Sequence, residues 1–227
     1  MSKKQHQGKL ETRKRGYRVP DMGYYLIVTD AVETEPNYLN GLKNSLPKEF
    51  KDRLVIKVKT SKTYDMIETM QSEMAKIPNL CEPWLVFDKD QVVGFDELIN
   101  KAKRKEMNVG WSNPCIEILF LAYFGKSPNI SESRVCIKEF ENEYSKLLNK
   151  KYKKNNKEIY KELVKHGNEK SAVDIMERKY EECLKNCMRD PSKMNGVSMV
   201  YRLVKEIVGK VNVVESNHGG ENLGHGM

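Results

Sequence analysis

Trp84-Leu85-Val86-Phe87-Asp88-Lys89-Asp90 decides how the rest of this chain is read. Four apolar residues, two aromatic and one β-branched, follow Pro83 and stop at two carboxylates that bracket a lysine. A short unbroken apolar run of this kind is predicted to be a strand buried on both faces of a parallel sheet. Its polar ending is then the carboxyl edge of the sheet, where open α/β proteins bind ligands. Side chains two apart on an extended segment point the same way, so Asp88 and Asp90 are expected to converge there. Two like charges held that close repel unless a cation sits between them. Mg²⁺ suits the position, because it is held by one or two carboxylates and completes its shell with water and substrate phosphate. The plainer reading is a polar loop in which Asp90 or Asp96 caps the next helix.

The same grammar recurs on either side. Upstream, Tyr24-Tyr25-Leu26-Ile27-Val28-Thr29 is predicted to be a buried strand ending at Asp30. Thr34 is then expected to cap a helix whose first turn holds Glu35 and Pro36 and whose apolar face is Tyr38, Leu39 and Leu42. The helix dipole alone explains an anion at Glu35, but the position also brings it to the same sheet edge as Asp88 and Asp90. Downstream, Val109-Gly110-Trp111-Ser112-Asn113-Pro114-Cys115-Ile116-Glu117 reads as a short strand, a cap at Asn113, and a helix opened by Pro114. Glu117 is a carboxylate at the start of an otherwise apolar helix, and is either a dipole partner or a site residue.

Between these units, 54–58 reads as a strand near the rim of the sheet. Residues 63–77 read as an amphipathic helix stopped by Pro78, with Tyr64, Ile67, Met70, Met74 and Ile77 as its core stripe. A helix over about 95–107 exposes Lys101, Lys103, Arg104 and Lys105, a solvated face or a hold on a nucleic-acid backbone. Four further helices are predicted at 133–149, 157–166, 169–188 and 196–209. The basic run 150–157 between the first two offers Lys151, Lys153 and Lys154 to phosphates and Tyr152 to a stacked base; its bland alternative is a solvated linker.

The whole is organised as a flexible basic arm (1–21), an α/β core (22–130), a helical region packed on it (131–210) and a disordered tail (211–227). Across 227 residues, 40 Lys+Arg oppose 32 Asp+Glu, and the net charge of +8 favours a polyanionic partner, nucleic acid first. No run approaches the ~18 apolar residues of a membrane span, and no apolar signal core opens the chain, so a cytoplasmic protein without a membrane partner is expected. Five scattered cysteines form no C-x-x-C pair and read as reduced structural thiols. There is no glycine-rich phosphate loop and no Ser/His/Asp or Cys/His signature. His166, before Gly167, reads as a helix terminator.

Three segments taken in order, Leu26–Asp30 with Thr34–Tyr38, then Phe87–Asp90, then Ser112–Glu117, resemble the RloB-like proteins, which include the AbiLii component of abortive infection. The resemblance covers about residues 22–125. It implies a Toprim-like core: a mostly parallel sheet flanked by helices, here with a C-terminal helical extension. It also implies a bacterial anti-phage role as a nuclease encoded beside an ATPase partner, with RNA, including tRNA, or DNA as substrate. In that pattern Asp88 and Asp90 match the Toprim D-x-D pair and Glu35 the second acid of the first motif, so these three are the expected ligands of Mg²⁺ or Mn²⁺. Asp30 stands where the related proteins carry the glutamate that ends the first strand, and would serve as acid/base group or as a further ligand; Glu117 would be a ligand or its support. The departure is Asp30-Ala31 in place of Glu-Gly, which shortens the acid and adds a Cβ. A Toprim-like module that binds nucleic acid or a partner, with weakened catalysis, is the alternative expectation. A homo-oligomer is compatible with either.

Overall fold

A computed structural model of the chain describes residues 20–50, 53–77 and 80–219. The predicted basic arm lies outside the described residues apart from Pro20 and Asp21, as do Pro78 and residues 220–227. The elements are β1 (Gly23–Thr29), α1 (Thr34–Ser45), β2 (Leu54–Thr60), α2 (Met66–Met74), β3 (Glu82–Asp88), α3 (Phe95–Arg104), β4 (Asn108–Asn113), α4 (Glu117–Tyr123), α5 (Ser133–Leu148), α6 (Ile159–His166), α7 (Glu169–Lys185), β5 (Val197–Ser198) and α8 (Val200–Gly219).

Among the described residues the sheet has five strands in the order β2-β1-β3-β4-β5, all parallel except β5. This is the Toprim-like α/β arrangement that the resemblance implies. The apolar runs dictate the centre. Tyr25 to Val28 of β1 and Trp84 to Phe87 of β3 are buried, because helices cover both faces of a parallel sheet. Each such aliphatic or aromatic side chain contributes about 1.5–3 kcal/mol of hydrophobic stabilisation. β2, half-alternating in sequence, forms one edge of the sheet and β5 the other.

The chain turns one way from β1 to β2 and the other way from β3 to β4. With right-handed crossovers, α1 therefore covers one face and α3 the other. α6 seats across α1 at Gly41, where a Cβ would lie 2.5 Å from the Cβ of Tyr160. Glycine permits that approach.

Several expected boundaries move. Thr34 is the first residue of α1, with Glu33 in the capping position. The 63–77 segment is a 3-10 turn (Thr63–Asp65) followed by α2, and Tyr64, expected in the core stripe, is exposed. Gly94, in the left-handed conformation, precedes α3, so neither Asp90 nor Asp96 caps it. Asp96 instead accepts hydrogen bonds from the amide and hydroxyl of Ser192. Asn113 does not cap α4, which begins at Glu117; its Nδ2 donates to the carbonyls of Pro191 and Ser192, and the Asn113–Pro114 peptide is cis. The helix predicted from 196 opens instead as the antiparallel strand β5, and α8 continues through 211–219, a stretch expected to be disordered tail.

Candidate metal centre

β1 and β3 are neighbours whose outgoing connections diverge, β1 through α1 to β2 and β3 through α3 to β4. The crevice at such a switch point is where open α/β sheets take ligands. Asp88 is the last residue of β3, and Asp30 directly follows β1. Asp90 lies in the short 3-10 turn after β3; Glu35 is the second residue of α1 and Glu117 the first of α4. All five predicted acids line one cleft of about 220 Å³, with Cys115 and Lys154 on its wall.

Three of these acids are held by hydrogen bonds to neighbouring elements. The amide of Ile116 donates to Asp88 Oδ2 at 3.2 Å, and Thr63 Oγ1 donates to Asp30 Oδ2 at 3.0 Å. Tyr152 OH donates to Glu117 Oε1 at 3.0 Å. The remaining oxygen of Asp88, Oδ1, is sealed from solvent with no hydrogen-bond partner among the described residues, although Asp88 as a whole keeps a partly exposed surface. A buried carboxylate oxygen without a partner is costly. Lys89, between the two aspartates in sequence, does not neutralise them: its ammonium donates to the carbonyl of Ser192 at 2.6 Å.

The electrostatics follow. Burial pushes Glu35 up to about 8, reinforced by Glu117 and Asp30, while its own amide and the Lys154 ammonium pull the other way. Burial lifts Asp30 to about 6 against the Thr63 hydrogen bond, with Asp90 adding repulsion. Asp88 is held well above the ordinary carboxylate range by burial and then by Glu35, Glu117, Asp90 and Asp30. Carboxylates crowded in this way release their protons together only against a cation.

Cys115 was not foreseen as a cleft residue, although it lies two positions before Glu117 in a quoted motif. Its Sγ and an oxygen each of Asp88 and Glu117 lie within 4.8 Å of one another. The neighbouring Cys136 thiol, burial and the two carboxylates raise the Cys115 thiol far above its usual range. The other donors of the cleft are carboxylate oxygens. That set fits a hard divalent ion such as Mg²⁺ or Mn²⁺, and the partnerless Asp88 Oδ1 fits it equally.

Ala31, where the resemblance implies glycine, is not in the left-handed conformation, and its N–H donates to Thr29 Oγ1 at 3.3 Å. The Cβ is accommodated without backbone strain.

The expected nucleic-acid residues divide. Lys154 reaches the cleft, and Lys151 and Lys153 are exposed on the same loop. Tyr152 is a correction. It is buried, packed edge-on against Phe140 at 4.8 Å and near Tyr144 at 5.7 Å, with the Thr34 hydroxyl also at its oxygen, so it pins the loop to Glu117 and offers no face to a base. Surrounding lysines masked that role in the sequence. Lys101 and Arg104 are in the last turn of α3, which runs back from the carboxyl edge; neither lines the cleft, and Lys101 Nζ lies 3.5 Å from Glu68 on α2.

The family model described as RloB-like protein matches residues 25–207, spanning all five motif acids and the helices beyond them. The chain belongs to the RloB-like family. The match extends the resemblance through the helical region to α8. No curated protein and no solved structure matches the chain. Among the described residues no helix is long and apolar enough to cross a membrane.

Proposed function

We propose that this RloB-like protein is a Mg²⁺- or Mn²⁺-dependent nuclease that hydrolyses phosphodiester bonds in RNA, such as tRNA, or in DNA. In this reading it acts in the cytoplasm as the effector of an ATPase-linked anti-phage system. The observation that carries the proposal is the gathering of six carboxylates, Glu33 and the five motif acids, from three strand-to-helix turns onto one cleft at the switch point, with Asp88 Oδ1 sealed and without a partner among the described residues. Family membership supports the defence role.

Glu35, Asp88 and Asp90 would hold the cation, which when bound supplies polarisation of the scissile phosphate and stabilisation of the leaving oxygen. Asp30 is the proton carrier: a carboxyl lifted to about 6 exchanges a proton near neutral pH, and Thr63 fixes its orientation through Oδ2. Glu117, oriented by Tyr152, supports the ligand set. Lys154 on the wall offers a point charge to an incoming phosphate.

Incubation with Mg²⁺ or Mn²⁺ and end-labelled tRNA, single-stranded RNA and DNA tests the reading, with an Asp88→Ala/Asp90→Ala protein alongside. Cleavage by the native chain that the double variant lacks is expected. Cleavage equal in both proteins overturns the proposal, and retained nucleic-acid binding without cleavage in either points to the weakened-module alternative.

A further inference from the structure

A second surface, lined by three lysines, shares α1 with the acidic cleft. α1 opens at the cleft with Thr34 and Glu35, and its later residues Gly41, Asn44 and Ser45 form one wall of a groove of about 480 Å³ against α6. Glu35 to Gly41 spans about 9 Å along the helix axis. The chain reaches the same groove by a second route, since Lys154 lines the cleft and Lys157, three residues on, lines the groove.

Lys157, in the turn that leads into α6, is followed on this wall by Lys161 and Lys165, which stand on one face of α6 about 6 Å apart along its axis. All three are exposed. Glu158, also in the groove, pairs among the described residues with Lys161 across an exposed 3.4 Å contact, which a phosphate can replace at little cost. The burial of Tyr152 holds the preceding loop against the core, which fixes where the lysine row starts.

We infer that the α1–α6 groove is a track for a single-stranded nucleic-acid backbone, read as phosphate by Lys157, Lys161 and Lys165 and leading to the cleft at Lys154. The choice of ligand rests on the nuclease reading, because the groove lies about 9 Å along α1 from a cleft suited to phosphodiesters. The cluster at the end of α3, equally basic in sequence, is not part of the track.

The test is binding of fluorescent single-stranded RNA and DNA of one sequence, measured in EDTA across a salt series. It uses the full chain carrying Asp88→Ala, so that the result does not depend on catalysis. Each phosphate contact to a single strand contributes about 0.7 to the slope of log K against log salt, so Lys157→Ala/Lys161→Ala/Lys165→Ala is expected to reduce that slope by about 2. Alanine suits an exposed helix face, and the corresponding triple glutamine variant checks that the loss is one of charge. Lys101→Ala/Lys103→Ala/Arg104→Ala should leave the slope unchanged. Loss with RNA, DNA or both upholds the track and identifies the polymer. An unchanged slope in the α6 variant, an equal loss in the α3 variant, or displacement of the oligonucleotide by an equal concentration of polyglutamate overturns it. If the track binds but the native chain cleaves nothing, the nuclease reading alone has failed.

Discussion

Glu73 and Glu35 are both largely covered glutamates on helices beside the sheet, and they are treated in opposite ways. Glu73, at the end of α2, accepts from Lys57 at 2.8 Å and Lys76 at 2.6 Å, with Lys59 at 3.8 Å, and these ammonium groups hold it down to about 2. Glu35 sits among Asp30, Asp88 and Glu117 and is pushed up to about 8. Where an acid serves the fold, lysines are brought to it. At the carboxyl edge the chain gathers six acids, Glu33 among them, and ties Lys89 to a backbone carbonyl, and among the described residues Lys154 is the one lysine on the wall. Such a local breach of charge pairing is expected at functional sites, where a ligand completes the balance.

The largest effect that sharpens this contrast is on cleavage. Removing ligands should exceed the 10–100-fold loss typical of residues that merely support a metal site, so Asp88→Ala/Asp90→Ala is expected to lower cleavage more than about 100-fold. The same variant should melt no lower than the native chain in EDTA near neutral pH, because it relieves repulsion.

Tyr152 comes next. Tyr152→Ala should cost about 3–5 kcal/mol in denaturant unfolding as a large buried ring is lost. Tyr152→Phe, which keeps the ring but leaves a Glu117 oxygen without its donor, should cost about 1–3 kcal/mol. A base-stacking surface residue would change stability by less than about 0.5 kcal/mol in either case.

The pH dependence is subtler. Glu35 titrates at 4.5 in the unfolded chain and at about 8 in the fold, so between those values the native state keeps a proton that the unfolded state has released. Its contribution is fully present below 4.5 and is lost as pH rises through about 8; Asp30 repeats the pattern from 3.8 to about 6. The melting temperature in EDTA is therefore expected to fall between about pH 5 and about pH 8. Saturating Mn²⁺ should cancel that fall, since it binds the deprotonated carboxylates. A profile indifferent to Mn²⁺ would break the comparison. The smallest effect belongs to Glu73→Gln, which should leave Mn²⁺ binding and cleavage unchanged and move the melting temperature least of the four.

The sheet centre was legible because its signals are local: apolar runs ending in acids at Asp30 and Asp88, and helix periodicity across α5, α6 and α7. The candidate acids were legible for the same reason, since each stands at a strand-to-helix turn. What escaped depends on distant partners. β5 has two residues and exists only through pairing with Ser112 and Asn113. Tyr152 is buried by Phe140 and Tyr144 while the lysines beside it remain in solvent. Asn113 looks like a cap until the carbonyls of Pro191 and Ser192 are brought against it. Cys115 gives no local sign that Asp88 will meet it across the cleft.

Acids built to receive a divalent cation must bind one, and calorimetric titration with Mn²⁺ near pH 8 measures that binding. Saturable binding that Mg²⁺ competes for and that Asp88→Asn abolishes is expected. Absence of binding, or binding unaltered by Asp88→Asn, would contradict it.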